Sequence, residues 1–141
     1  MCDIQIEQIR FELTWRIRHE VMYPDLPFEN IKLRNDKDGI HFGLYAKDQL
    51  TSVISLFEVN NVYQFRKFAT INSAQGKGYG TKLLEYIISY VKKTQGEKLW
   101  CNARVSVISF YKKFGLAETN KYFTQDNIEF VIMELKIDDE N

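Results

Sequence analysis

Gly76, Gly78 and Gly80 fall within AQGKGYGTK, in a chain of 141 residues with only seven glycines. They stand between a strand-like run, FATI, and a helix-like run, KLLEYI. Glycine reaches backbone conformations closed to other residues. In a strand-to-helix turn it lets successive N–H groups point at one spot, where the helix dipole favours negative charge. The chemistry this suits is the holding of a phosphate or pyrophosphate. Lys77 would add a charge-assisted contact there, or stand as a solvated loop lysine. Two nucleotide-binding patterns fail on spacing. A Walker loop needs Lys and then a hydroxyl directly after its last glycine, whereas Gly80 is followed by Thr81 and then Lys82. A dinucleotide fingerprint needs G-x-G-x-x-G, and the spacing here is G-x-G-x-G. Taken alone, the run leaves open a pyrophosphate cradle and a tight turn with no ligand.

Other reactive side chains are scattered. Cys2 and Cys101 form no CxxC pair, and His19 and His41 lie apart from both, so no metal-ligand spacing is present. Cys101, inside KLWCNA, is expected to be a buried reduced thiol. Arg16, Arg18, Arg66 and Arg104 are candidates for gripping a carboxylate or phosphate, with surface salt bridging as the alternative. Tyr111 lies on the apolar face of VSVISFYKKFG with Val107, Ile108 and Phe114, where a tyrosine can be simple core with its hydroxyl at the edge.

The elements that must position these groups follow from hydrophobic periodicity. A short strand over Ile4–Ile9 precedes a helical segment from about Phe11 to Met22, which YPDLPFEN ends with Pro24 and Pro27. HFGLYA, LTSVISLFEV and NVYQFRKFATI read as three antiparallel strands, turning at Lys47-Asp48-Gln49 and Asn60-Asn61. A helix over TKLLEYIISYVKK, a buried strand KLWCNA, a helix ending at Gly115 and the strands LAETNKYFTQ and IEFVIMEL complete the order. IEFVIMEL is expected to offer an apolar sheet edge for pairing a homodimer. The chain reads as one domain over residues 1–141, without linker or repeat. Lys and Arg number 19 and Asp and Glu number 19, so there is no electrostatic footprint for nucleic acid. MCDIQIEQIR lacks the pattern of a signal peptide, and no run approaches the roughly 18 apolar residues of a membrane span. A cytoplasmic location is expected.

FATINSAQGKGYGTKLL resembles motif A of the GNAT superfamily, the acetyl-CoA-dependent N-acetyltransferases, whose Q/R-x-x-G-x-G/A signature is met by Gln75, Gly78 and Gly80. LWCNARVSVISFYKKFGL is similar to the family's fifth strand and following helix, and the element order matches along nearly the whole chain. The spacing of Arg18, Val21 and Pro24, with YQFRKFAT and LWCNAR, resembles a bacterial subgroup of mostly uncharacterised members. The resemblance implies an α/β (α+β) fold: a mixed, mostly antiparallel sheet of about six to seven strands, helices on both faces, and splayed fourth and fifth strands. It implies acetyl-CoA as cofactor. The pantetheine arm would lie along Phe68, Ala69 and Thr70, and the pyrophosphate on the backbone of Gln75, Gly76, Lys77, Gly78, Tyr79, Gly80 and Thr81.

The reaction so implied is direct attack by a primary amine of a small molecule or peptide on the thioester, in a ternary complex. A main-chain N–H near Phe68 to Thr70 would stabilise the oxyanion, and one such donor is worth about 3 kcal/mol. Tyr111 takes the place of the family's general acid. The sequence departs from the family pattern twice. Arg104 stands where many members have an Asn near the cofactor, with Asn102 two positions before it, and either is a candidate contact to CoA or substrate. Gln64 replaces the carboxylate that one branch uses as base; Glu20, Glu58, Glu118 and Asp126 are other carboxylates within the pattern, and the base stays unassigned. Arg18 and Arg66 are expected on the substrate side, with Tyr23, Phe28, Tyr122 and Phe123 as possible pocket walls. Two alternatives share this loop: a CoA-binding sensor without catalysis, and a transferase for a longer acyl group.

Overall fold

Paired left-handed residues make the tight turns that set the strand pairing. Lys47-Asp48 (φ 52° and 66°), Asn60-Asn61 (51° and 70°) and Asp126-Asn127 (53° and 65°) each close a hairpin. Such two-residue turns match the twist of antiparallel strands, and Asn and Asp tolerate the conformation well. The computed structural model describes residues 3–137, so Cys2 lies outside the described residues. Its strands are β1 (Ile4–Ile9), β2 (Ile40–Ala46), β3 (Gln49–Val59), β4 (Val62–Thr70), β5 (Lys98–Arg104), β6 (Ala117–Gln125) and β7 (Ile128–Lys136). Its α-helices are α1 (Trp15–Ile17), α2 (Tyr79–Lys93) and α3 (Ile108–Lys112). The hydrogen-bonded order is β1-β2-β3-β4-β5-β7-β6, a seven-stranded mixed sheet. Its parallel ladder, β4 on β5, spans only Val62↔Lys98 to Gln64↔Trp100, which fits the splayed fourth and fifth strands expected.

The chain divides into two compact units, one reaching Phe57 and resuming over Arg66–Ile87, the other made of Glu58–Phe65 and the chain from Ile88 onward. In the first, β1 pairs with β2 from Ile4↔Ala46 to Ile9↔His41, and β2 with β3. The helical segment expected over residues 11–22 is present, but its winding changes from 3-10 (Phe11–Thr14) through α1 to a π-turn at Arg18–Met22. Ile17, Val53 and Ala69 form a buried cluster against Ile9, Val21, Met22, Leu50 and Ile71. Leu83, Leu84 and Ile87 bury the apolar stripe of α2; each such side chain contributes roughly 2 kcal/mol or more when removed from water.

In the second unit β5 alternates cleanly, with Leu99, Cys101 and Ala103 buried and Asn102 and Arg104 exposed. β7 runs antiparallel to β5 from Lys98↔Lys136 to Arg104↔Phe130, and β6 lies on the other side of β7. IEFVIMEL is therefore an interior strand, and the outer strand is β6, against the expectation of an apolar edge there. Every residue of β6 except Thr119 is exposed, and its register shifts between Glu118 and Tyr122, a device that discourages edge pairing. Gly115, at φ 95°, ends the helical segment that contains α3, as expected. Val107, expected on its apolar face, is instead exposed, because Val105–Val107 winds as a 3-10 turn ahead of the α-helix. Among the described residues no helix is long and apolar enough to cross a membrane.

Candidate functional site

The glycine loop and the end of β4 come together within the first unit. After Thr70 the chain makes a 3-10 turn at Asn72–Ala74 and enters α2 at Tyr79. Gln75 ties this turn down: its Nε2 donates to the Thr70 carbonyl at 3.0 Å and to Asn72 Oδ1 at 3.1 Å. Gly76 and Gly78 have φ of 83° and 84°, and a Cβ on either would meet nothing within 4 Å. Backbone conformation is what demands glycine here, and the outer side of the loop is open to a ligand. Gly80 differs: a Cβ there would lie 3.3 Å from Phe68 Cζ and 3.8 Å from Thr70 Oγ1. Close approach of the helix start to the end of β4 is what demands glycine at that position.

Lys82 N–H donates to the Gly78 carbonyl at 3.1 Å and closes the first turn of α2; the N–H groups ahead of it are those a helix leaves unmatched at its start. Unmatched N–H groups at a helix start favour negative charge, and Lys77 is exposed in the loop ahead of the helix. The Ser52 hydroxyl lies 2.8 Å from Thr70 Oγ1 and donates to the Ala69 carbonyl at 3.1 Å, fastening this end of β4 to β3. Lys67, inside β4, holds φ 55°, a strained conformation for a lysine. Its ammonium donates to the Tyr23 hydroxyl and lies 4.6 Å from the centre of that ring. This link has no local signal, since nothing in YQFRKFAT marks one residue as left-handed.

Tyr111, Asn102 and Arg104 belong to the second unit. The Tyr111 ring lies 5.8 Å from that of Phe65 and 5.3 Å from that of Phe110. Burial pushes its phenol well above the ordinary tyrosine range and the Cys101 thiol adds to this, while the Arg104 charge pulls it back. The hydroxyl is thus protonated at neutral pH, as a proton donor must be. Cys101 is a free buried thiol, pushed up by burial to about 12, and so inert. Asn102 and Arg104 are exposed, opposite Ile132 and Phe130 in the ladder to β7. The Arg104 guanidinium makes no hydrogen bond or ion pair among the described residues.

Arg18 goes elsewhere than the substrate side. It is 0% exposed, and its two terminal nitrogens hold Asp36 Oδ1 and Oδ2 at 2.8 Å each. One of them also donates to Ser55 Oγ at 2.8 Å. Asp36 Oδ2 further accepts from Trp15 Nε1 at 3.0 Å and from Leu33 N–H at 2.9 Å. His41 Nε2 donates to the Asp36 carbonyl at 2.8 Å, leaving Nδ1 to accept from Ser55 Oγ at 2.8 Å in the neutral ring. Burial alone would raise the Asp36 carboxyl; the bonds from Arg18, Leu33 and Trp15 outweigh it and hold the group below its ordinary value. Arg18 therefore shapes the segment between the first helix and β2 and has no free face for an acceptor. Sequence reasoning missed Asp36, His41 and Ser55 because only the folded loop brings them to Arg18.

Most of the candidate carboxylates are also committed. Glu20 pairs with Arg16 at 3.2 Å, Glu58 accepts from the Asn61 N–H at 2.6 Å to close its turn, and Glu118 accepts from the Tyr122 hydroxyl at 2.7 Å. Asp126 is a turn residue, and Arg66 and Gln64 are half-buried on β4.

Residues 7–137 match the family described as acetyltransferase (GNAT) domain. An uncharacterised N-acetyltransferase of Bacillus subtilis, YitI, is 26% identical over 129 residues, covering 85% of this chain and 87% of its own length. The fold is similar to that of a candidate N-acetyltransferase from Lactobacillus plantarum, with TM-score 0.85, 17% identity and coverage of 95% of this chain and 98% of that one. It is similar also to a Bacillus subtilis acetyltransferase solved in complex with CoA, with TM-score 0.73, 18% identity and coverage of 97% and 99%. At such identities these structures speak for the fold alone.

Proposed function

Since the chain belongs to the GNAT acetyltransferase family, we propose that it moves an acetyl group from acetyl-CoA to a primary amine by direct attack in a ternary complex. The observation that carries this reading is the loop Gln75–Thr81: two left-handed glycines with open space outside them, clamped by Gln75 and leading into a 15-residue helix. Those residues fit a pyrophosphate, with backbone N–H groups as donors and Lys77 as an added cation. Acetyl-CoA supplies the activated thioester. Main-chain groups of Phe68, Ala69 and Thr70 orient the pantetheine arm, and an N–H among them meets the negative charge that builds on the acetyl oxygen. Tyr111 holds its proton through burial and delivers it to the departing sulfur. The whole chain acts as one acetyltransferase domain.

The test is release of CoA when acetyl-CoA is mixed with a panel of amines, read beside thermal stabilisation by acetyl-CoA alone. Release together with stabilisation is the expected result. Stabilisation without release from any amine would make the chain a CoA-binding sensor. No stabilisation at millimolar acetyl-CoA would overturn the reading.

A further inference from the structure

Three lysines each pair with a glutamate: Lys32 with Glu29 at 2.8 Å, Lys98 with Glu134 at 3.1 Å and Lys112 with Glu118 at 3.0 Å. Lys67 does not. It is half-buried and makes no ion pair among the described residues; its ammonium meets the hydroxyl and the ring of Tyr23 in place of a carboxylate. A cation drawn partly out of water is costly without an opposite charge. The backbone adds to that cost, since φ 55° is left-handed and only glycine adopts it freely. An outlier retained against both costs points to a use. The Tyr23 oxygen accepts the bond from Lys67, which leaves its own O–H to donate, and two of the three ammonium protons are uncommitted among the described residues. Tyr23 is half-buried as well, so donors from two residues converge where each still reaches solvent.

The pair stands at the acetyl end of β4. Lys67 directly precedes Phe68, and consecutive Cα atoms lie about 3.8 Å apart. Side chains of this stretch divide between two sides. Phe68 and Thr70 approach Gly80 at the glycine loop, whereas Ala69 packs with Ile17 and Val53 against Val21 and Met22, in the turn that leads to Tyr23. Through Tyr23, Lys67 joins the Ala69 side. All of these residues belong to the first unit. We propose that Lys67 and Tyr23 hold an anionic oxygen group of the acceptor, a carboxylate or a phosphate ester, so that the amine acetylated is one that carries a negative charge. The ammonium supplies the charge, and its free N–H groups with the Tyr23 O–H supply the hydrogen bonds. Arg66, half-buried next in the chain and without an ion pair among the described residues, adds positive potential. An acceptor held there meets the β4 backbone from the side away from the glycine loop and does not compete with a pyrophosphate for it. This rests on the acetyltransferase reading and names the class of its acceptor.

The test pairs anionic amines with neutral partners of similar size: 4-aminobutyrate with 4-aminobutyramide, and O-phosphoethanolamine with ethanolamine. Each is an acceptor for the wild type, Lys67→Met, Lys67→Arg and Tyr23→Phe. The readout is the ratio of kcat/KM within a pair, in which a general disturbance of β4 cancels. In the wild type the ratio should favour the anion in at least one pair, and the pair that responds tells carboxylate from phosphate. Lys67→Met should lower that ratio on the order of 10- to 100-fold, the loss of charge-assisted hydrogen bonds. Lys67→Arg keeps the charge and should restore most of it, and Tyr23→Phe should lower it roughly 2- to 10-fold, the loss of one neutral donor. A wild type that favours neither anion overturns the proposal and leaves the acetyltransferase reading intact. So does a Lys67→Met variant that slows both members of a pair alike, the mark of a purely structural lysine. If no amine turns over, the same compounds are scored by the thermal stabilisation they add to the CoA-bound protein. Stabilisation by an anionic amine that Lys67→Met abolishes upholds the proposal, and its absence overturns it. A wild type that acetyl-CoA itself does not stabilise overturns the acetyltransferase reading and this proposal with it.

Discussion

Arg18 and Arg104 each sit in a cluster of an arginine, a carboxylate, hydroxyls and a further polar side chain, and the clusters differ in what closes them. Around Arg18 the partners are protein: Asp36 spends both oxygens on it, Ser55 links it to His41, and Arg18 and Asp36 are 0% and 2% exposed. Around Arg104, Glu129, Ser106, Thr124 and Asn127 stand exposed around open volume. Burial explains the first arrangement, because a charge taken out of water must be paired and hydrogen-bonded to be tolerated. Water explains why the second is stable as it stands, since solvated ions need no partner. Residue type thus does not separate polar groups that build the fold from polar groups left for a ligand. Their degree of satisfaction does.

The comparison breaks most visibly at the carboxylates. Asp36→Ala leaves the Arg18 charge buried and unpaired, and should destabilise the protein by about 3–5 kcal/mol, read as a lower urea midpoint at unchanged slope. Glu129→Ala should stay within about 0.5 kcal/mol of the parent, as exposed substitutions do. Equal effects would show that the two clusters do not differ in kind.

Next in size is Tyr111→Phe, which removes only the phenolic oxygen. Turnover should fall by about 10²–10⁴, the usual contribution of a positioned proton donor, with stabilisation by acetyl-CoA retained. Unchanged turnover would remove Tyr111 from the mechanism.

Acid should act on the Arg18 cluster first through His41. Burial first, with the Arg18 charge adding to it, lowers the His41 pKa against the raising pull of Asp36. The unfolded chain therefore takes up a proton at His41 over a range where the fold does not. Stability from this residue is fully present above the ordinary histidine value of 6.5 and declines as pH falls below it. Asp36, also lowered, adds a loss in the same direction further into acid. His41→Gln should flatten the first decline in a series of urea midpoints, and an unaltered pH profile would show that His41 titrates as freely as in the unfolded chain.

How much of this was legible in the sequence depended on whether the signal was local. The glycine loop was, because Gln75, Gly78 and Gly80 lie within six residues and their spacing alone distinguishes the turn from two other phosphate loops. So were the hairpin turns, where Asn60-Asn61 declares its left-handed pair by residue type. The fate of Arg18 was not: its partners stand 18 and 37 positions away, and only the loop between helix and β2 brings them in. The surroundings of Arg104 were hidden for the same reason, since the register that sets it opposite Phe130 is a property of the paired strands. IEFVIMEL was misread as an edge because hydrophobic alternation reports which face is buried and says nothing of strand order.

Lys67 is the intermediate case, half-buried and tied to Tyr23, and it offers the smallest effects. Two contributions oppose each other there. A left-handed lysine costs about 1 kcal/mol relative to glycine, whereas the bond to the Tyr23 hydroxyl and the contact with its ring each return about 0.5–1 kcal/mol. Lys67→Gly removes both the strain and the contacts and should leave stability within about 0.5 kcal/mol of the parent. Lys67→Met keeps the strain, loses the contacts and should cost about 1 kcal/mol or slightly more. Tyr23→Phe keeps the ring under the ammonium and loses only the hydroxyl, so its cost should fall between those two. If glycine proves more destabilising than methionine, φ 55° at Lys67 is not strained, and the half-buried cation belongs with the Arg18 cluster as a structural group held by protein partners.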